Sequence, residues 1–97
     1  MKVRVKAFLM MKELMSGQST YEVELQEGTI LSLLQDLGEK FGQDFVSRVF
    51  KAGESELSSQ VLVLINGRNI SSLAQGLDTQ LADGDEVAIF PPIAGGM

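Results

Sequence analysis

The residues most suited to chemistry lie at the end of the sequence, in the stretch LADGDEVAIFPPIAGGM at 81–97. Gly95 and Gly96 are backbone without side chains, and Pro91 and Pro92 precede them across the short apolar link Ile93-Ala94. Neither proline can donate to a strand ladder and both hold φ near −65°. They therefore stop whatever strand comes before and favour an extended exit directed away from the body. A chain that aims two glycines outward in this way is expected to use that end. Residues 91–97 are read as a flexible C-terminal tail on a single domain spanning 1–97.

The rest of the inventory offers little competing chemistry. The sequence contains no histidine and no cysteine, which removes the commonest general base, thiol chemistry, disulfides and the usual zinc ligands. No self-contained active site, bound cofactor or metal is expected. With 13 acidic against 8 basic residues the net charge is −5, and a phosphate-binding surface needs the opposite sign, so nucleic acid is not an expected partner. A composition of 44% hydrophobic and 22% charged residues is that of a folded globular domain. No run of about 20 apolar residues suggests a membrane span, and the alternating MKVRVKAF start lacks a signal-peptide core. A cytoplasmic location is the default expectation.

The elements that must position the tail can be read by periodicity. Val3, Val5, Ala7 and Leu9 alternate with Lys2, Arg4 and Lys6, giving a first strand with one apolar and one cationic face. Residues 10–15 read as a loop or short helical turn whose methionines serve as adaptable filler. Residues 20–25 form a second strand with Tyr21, Val23 and Leu25 inward. A hairpin between the two would set the cations near Glu22 and Glu24. Thr29 is an N-cap, and Ile30, Leu33, Leu34, Leu37 and Phe41 form the stripe of the main helix, with Gly38 marking its weak or terminating end. A short helix at 44–50 carries Phe45, Val46, Val49 and Phe50 at helical spacing. Residues 52–59 are expected to be the least ordered part.

The apolar run VLVLI at 61–65 suggests a central strand covered on both faces. Asn66-Gly67 signals a tight return, and Leu73 and Leu77 anchor turns in the connection that follows. In the closing segment Gly84 is free to adopt positive φ and Asp83 can bond nearby backbone. Asp83, Asp85 and Glu86 are either a solvated turn or an acidic docking surface. Residues 86–90 form the last strand with Val87 and Ile89 on one face. If it pairs with the first strand the two run parallel. The order describes a small α+β roll.

The pattern L-x-D-G-D-E-V-A-x-F-P-P-x-x-G-G at 81–96 closely resembles the C-terminus of the small subunit of molybdopterin synthase. That subunit is one of the ubiquitin-like sulfur carriers, which also include the thiamin sulfur carrier. A looser resemblance extends to VRVKAF at 3–8, EGTI and the leucines of the main helix at 27–37, and VLING at 63–67. The resemblance implies a β-grasp fold: a mixed sheet of about five strands, one main helix across it and a short extra helix. Phe90-Pro91-Pro92 favours the molybdopterin branch.

The resemblance also implies a mechanism. An E1-like enzyme would use ATP to adenylate the C-terminal glycine, and sulfur would displace AMP to leave a thiocarboxylate that the molybdopterin synthase large subunit consumes. Gly96 would carry the reacting carbonyl and Gly95 would give clearance in a narrow channel. Phe90, Pro91, Pro92, Ile93 and Ala94 would contact the partners. Met97 departs from the pattern, since adenylation at Gly96 requires its removal by a protease. The alternatives are a protein-binding β-grasp module that carries no sulfur, or a carrier for another pathway such as thiamin synthesis.

Overall fold

The computed structural model of the chain describes residues 1–8, 10–51, 56–59 and 61–91. Five strands form one sheet: β1 (Lys2–Ala7), β2 (Thr20–Glu24), β3 (Leu62–Ile65), β4 (Arg68–Asn69) and β5 (Glu86–Phe90), in the spatial order β2-β1-β5-β3-β4. β1 and β5 run parallel, and the other neighbouring pairs are antiparallel. Three helices accompany it: α1 (Met10–Leu14), α2 (Ile30–Phe41) and α3 (Gln43–Val49). This is the expected β-grasp order.

Strict alternation drives the sheet. Val3, Val5 and Ala7 of β1, Val63 and Ile65 of β3, and Val87 and Ile89 of β5 are buried on one face. They join the α2 stripe of Ile30, Leu33, Leu34 and Leu37 in a single core. The side chains that alternate with them in β1, β3 and β5 remain exposed or half-buried. The inward position expected of Leu9 lies outside the described residues.

The central strand is β5, not the apolar run of β3. Leu62 and Leu64 are half-buried, so β3 is covered on one face only, although its composition suggested two. Alternation cannot separate these cases when every residue is apolar; the strand order decides it. At the sheet's edge, Tyr21, Val23 and Leu25 are likewise only half covered. Of the two forms expected at 10–15, the short helical turn is the one present, as α1, with Met11 and Met15 fully buried as core filler.

Helix α2 starts as its residues indicate. Thr29 Oγ1 accepts from the Ser32 amide at 3.2 Å and Ser32 Oγ accepts from the Thr29 amide at 2.9 Å, a reciprocal capping box closed by serine. Gly38 does not end it. The helix continues to Phe41, and Gly42, at φ 99°, is the cap that turns the chain into α3. Gly38 is a packing position, since a Cβ there would lie 2.7 Å from Val46 Cγ2. Phe45 and Val49 bury the inner side of α3, with Phe50 beyond its end.

Of the segment expected to be least ordered, residues 52–55 lie outside the described part. Residues beyond them are tied down: Lys51 N–H donates to the Glu56 carbonyl at 2.9 Å and Ser58 N–H to that of Val49 at 2.8 Å. Asn66 and Gly67 take φ of 50° and 84°, the paired left-handed geometry of a tight hairpin turn, and β4 returns along β3. Two 3₁₀ turns, Ile70–Ser72 and Gly76–Asp78, follow, with Leu73 and Leu77 packed on the core as expected. Among the described residues no helix is long and apolar enough to cross a membrane.

Candidate functional site at the tail exit

β5 carries the tail, so its neighbours set where the tail begins. At its start the turn at 82–85 is fastened to β1. The Lys2 amide donates to Asp83 Oδ1 at 2.7 Å, the Gly84 amide to the Lys2 carbonyl at 2.8 Å, and the Arg4 amide to the Asp85 carbonyl at 2.9 Å. Asp85 Oδ2 accepts from the Ala82 amide at 2.7 Å, while its Oδ1 accepts from Asn66 Nδ2 at 3.0 Å. Asn66 Oδ1 in turn accepts from the Glu86 amide at 3.0 Å. The local bond assigned to Asp83 is therefore made by Asp85, and Asp83 reaches across to the first strand instead. Asn66, read only as a turn residue, also locks β5 in register.

The cations of β1 do not find their ion partners on β2. The register places Lys2 opposite Glu24 and Arg4 opposite Glu22, as the hairpin required. Yet the ion pairs of Arg4 and Lys6 go to Glu86, at 3.6 and 3.4 Å. Parallel pairing of β1 with β5 brings that carboxylate between the two cations. All three side chains are partly solvated, so the arrangement is worth at most about 1 kcal/mol per pair. At this end of the sheet, the acidic residues considered for docking are all engaged within the fold.

The other end is different in kind. Phe90 closes β5 opposite Leu62, with Ala88 opposite Leu64 two pairs earlier and so on the same face. The Phe8 amide donates to the Ile89 carbonyl at 3.2 Å, which carries the ladder one residue past β1. The Phe8 and Phe90 rings stack with centroids 4.3 Å apart and planes 1° from parallel. Phe8 is 38% exposed, the one large apolar side chain in that class among the described residues. Together Phe8, Phe90, Leu62, Leu64 and Ala88 make an apolar area at the edge of the open face where Pro91 departs. Phe8 was missed as a site residue. The signal was its parity: it shares the outward register of Lys2, Arg4 and Lys6 but is aromatic.

Of the site residues expected from sequence, the structure places Phe90 on this face and Pro91, half-buried, next to it. Pro92, Ile93, Ala94, Gly95 and Gly96, with Met97, lie outside the described residues. A rim of this composition, aromatic and aliphatic without buried charge, is suited to protein contact.

Comparisons with known proteins agree with this arrangement. The ThiS family matches residues 8–96. A candidate sulfur carrier protein of Archaeoglobus fulgidus is 35% identical over 80 residues, covering 82% of this chain and 88% of its own. The solution structure of small archaeal modifier protein 1 from Methanosarcina acetivorans superposes with a TM-score of 0.80 at 31% identity, over 98% of this chain and 96% of that one. A Pyrococcus furiosus structure, described as a candidate molybdopterin converting factor subunit 1, gives 0.72 at 32% identity over 95% and 98%. With a family match over most of its length, an open-faced β-grasp sheet and a Gly-Gly motif after the last strand, the chain belongs to the ThiS family of ubiquitin-like sulfur carriers.

Proposed function

We propose that this chain supplies sulfur for molybdopterin-type cofactor biosynthesis, through a thiocarboxylate formed on Gly96. The observation that carries the reading is the continuity of one element. The central strand β5 ends at the apolar rim with Phe90, and in the sequence Pro91-Pro92 and, four residues further, Gly96 follow it. The family match supports a sulfur carrier without distinguishing the pathway, and the name of the Pyrococcus furiosus relative supports the molybdopterin branch.

The chemistry follows from what a carboxylate lacks. It is a poor acyl donor, with no good leaving group, so an E1-like partner first joins it to the α-phosphate of ATP with loss of pyrophosphate. Hydrosulfide, or its equivalent held by the partner, then attacks the carbonyl. AMP leaves with the bonding pair and a thiocarboxylate remains. This soft nucleophile is consumed in the active site of a molybdopterin synthase large subunit. Glycine at 95 and 96 permits passage through a channel too narrow for a Cβ. Cleavage after Gly96, removing Met97, exposes the carboxylate.

The name of the Methanosarcina acetivorans relative supports a second reading, in which the activated acyl group passes to an amine of another protein rather than to sulfur. Intact-mass and C-terminal peptide analysis of the chain isolated from its own host tests both. Chains ending at Gly96 with one oxygen replaced by sulfur are the expected result. Gly96 found only in amide linkage to other proteins would favour the modifier. Chains that all retain Met97 under high sulfur demand would leave the protein-binding module as the better reading.

A further inference from the structure

We propose that Phe8 is a positioning residue for the tail: its ring fixes Phe90 and so sets the direction in which Pro91 leaves the sheet. This rests on the carrier reading above for its functional consequence, but not for its structural one.

The need for such a residue arises from where the ladders run out. On the β3 side, Phe90 is paired with Leu62. On the β1 side, pairing ends with Ala7 opposite Ile89, followed by the single bond from the Phe8 amide to the Ile89 carbonyl. Pro91 has no N–H to extend either ladder. From Phe90 onward, backbone bonding no longer ties the exit to β1. The Phe8 ring takes over that role, stacked on Phe90 at 4.3 Å with planes 1° apart.

Such a contact restricts both side-chain torsions of Phe90. Proline at the next position restricts the backbone of Phe90 to the extended region, so Phe90-Pro91 behaves as one short stiff lever. Holding the ring therefore holds the lever. A tail that must enter a partner's channel gains if its exit direction is set beforehand, because less orientational freedom is lost on reaching the reactive geometry. Phe8 belongs to the start of the chain and Phe90 to its far end, so the device exists only in the folded sheet.

The test compares wild type with Phe8→Ala and Phe8→Tyr. In the isolated full chain, ¹⁵N relaxation should give Phe90 a rigid-backbone order parameter near 0.85. In Phe8→Ala it should fall toward about 0.6 while Val87 is unchanged, and Phe8→Tyr should restore it. With chain processed to Gly96 and an activating enzyme, Phe8→Ala should lower kcat for adenylation by about tenfold, the scale one aromatic pair can control, with KM little changed.

An unchanged Phe90 order parameter overturns the proposal. So does a higher KM at constant kcat, which would leave Phe8 with no role beyond its share of the apolar rim. If wild type itself is not adenylated, the proposed function fails, while the relaxation measurement still decides the role of Phe8.

Discussion

The two faces of this sheet are made from alternate residues of the same strands, yet they obey different rules. On the covered face, Val5, Val63, Val87 and Ile89 meet Leu33, Leu34 and Leu37 of α2 in a core where each is at most 2% exposed. On the open face, the same strands present Arg4, Lys6 and Glu86 at one end and Phe8, Phe90, Leu62 and Leu64 at the other. The first face is determined by volume, because interiors are close-packed and tolerate few voids. The second is determined by what remains unsatisfied. Arg4, Lys6 and Glu86 are paired with one another, whereas the aromatic and aliphatic rim is only partly covered by the described residues. The difference teaches that the open face is divided: its ionic end helps fasten β5, and its apolar end is available to a partner.

Substitutions can break that comparison. The largest effect should come from the covered face. Leu34→Ala is expected to cost about 2–5 kcal/mol through lost burial and a residual cavity. For a domain of this size each kcal/mol shifts Tm by roughly 4–8 °C, which calorimetry would read directly. Equal costs for Leu34→Ala and an open-face leucine would show that the open face is not open.

That open-face counterpart is Leu64→Ala. Half-burial recovers only part of the roughly 1.5–3 kcal/mol of a fully covered leucine, so its expected cost is about 1 kcal/mol. Its larger consequence should be a raised KM with the activating enzyme, measured by pyrophosphate release. A variant that loses stability but keeps its KM would remove Leu64 from the partner face.

The smallest effect belongs to the ionic end. Glu86→Gln removes both ion pairs with Arg4 and Lys6, and should cost less than about 1 kcal/mol because all three groups are partly solvated. Urea titrations at low salt and at 1 M salt, where the screening length falls to about 3 Å, should bring wild type and variant together. A loss above about 2 kcal/mol that persists in salt would mean that this end is structural in a stronger sense than partly solvated pairs allow.

Much of the fold was legible in the sequence, for identifiable reasons. The alternation of β1, the 3.6-residue stripe of α2, the Thr29 cap and the Asn66-Gly67 turn are local signals, since each depends on neighbours within a few positions. Gly38 lies in the last turn of α2, as its position suggested, but its packing role was not legible because a glycine in a helix can equally weaken it or admit a neighbouring helix. Only the approach of Val46 separates the two. β3 was misread for a related reason: an all-apolar run hides which of its faces is covered.

The site divides in the same way. Pro91, Pro92, Gly95 and Gly96 stand out in the sequence because proline and glycine act on their own backbone, and of the proposed tail contacts the structure describes Phe90 and Pro91. By itself, then, the sequence determined the strand and helix periods and the caps and turns, and it supplied the proposal of acyl chemistry at Gly96. Tertiary structure alone decided that Glu86 would lie between Arg4 and Lys6, that Asp83 would hold the first strand, and that Phe8 would stack on Phe90. Those pairs are separated by about eighty residues, and no local preference encodes them. They form because parallel pairing of β1 with β5 at the centre of the sheet brings the two ends of the chain into register.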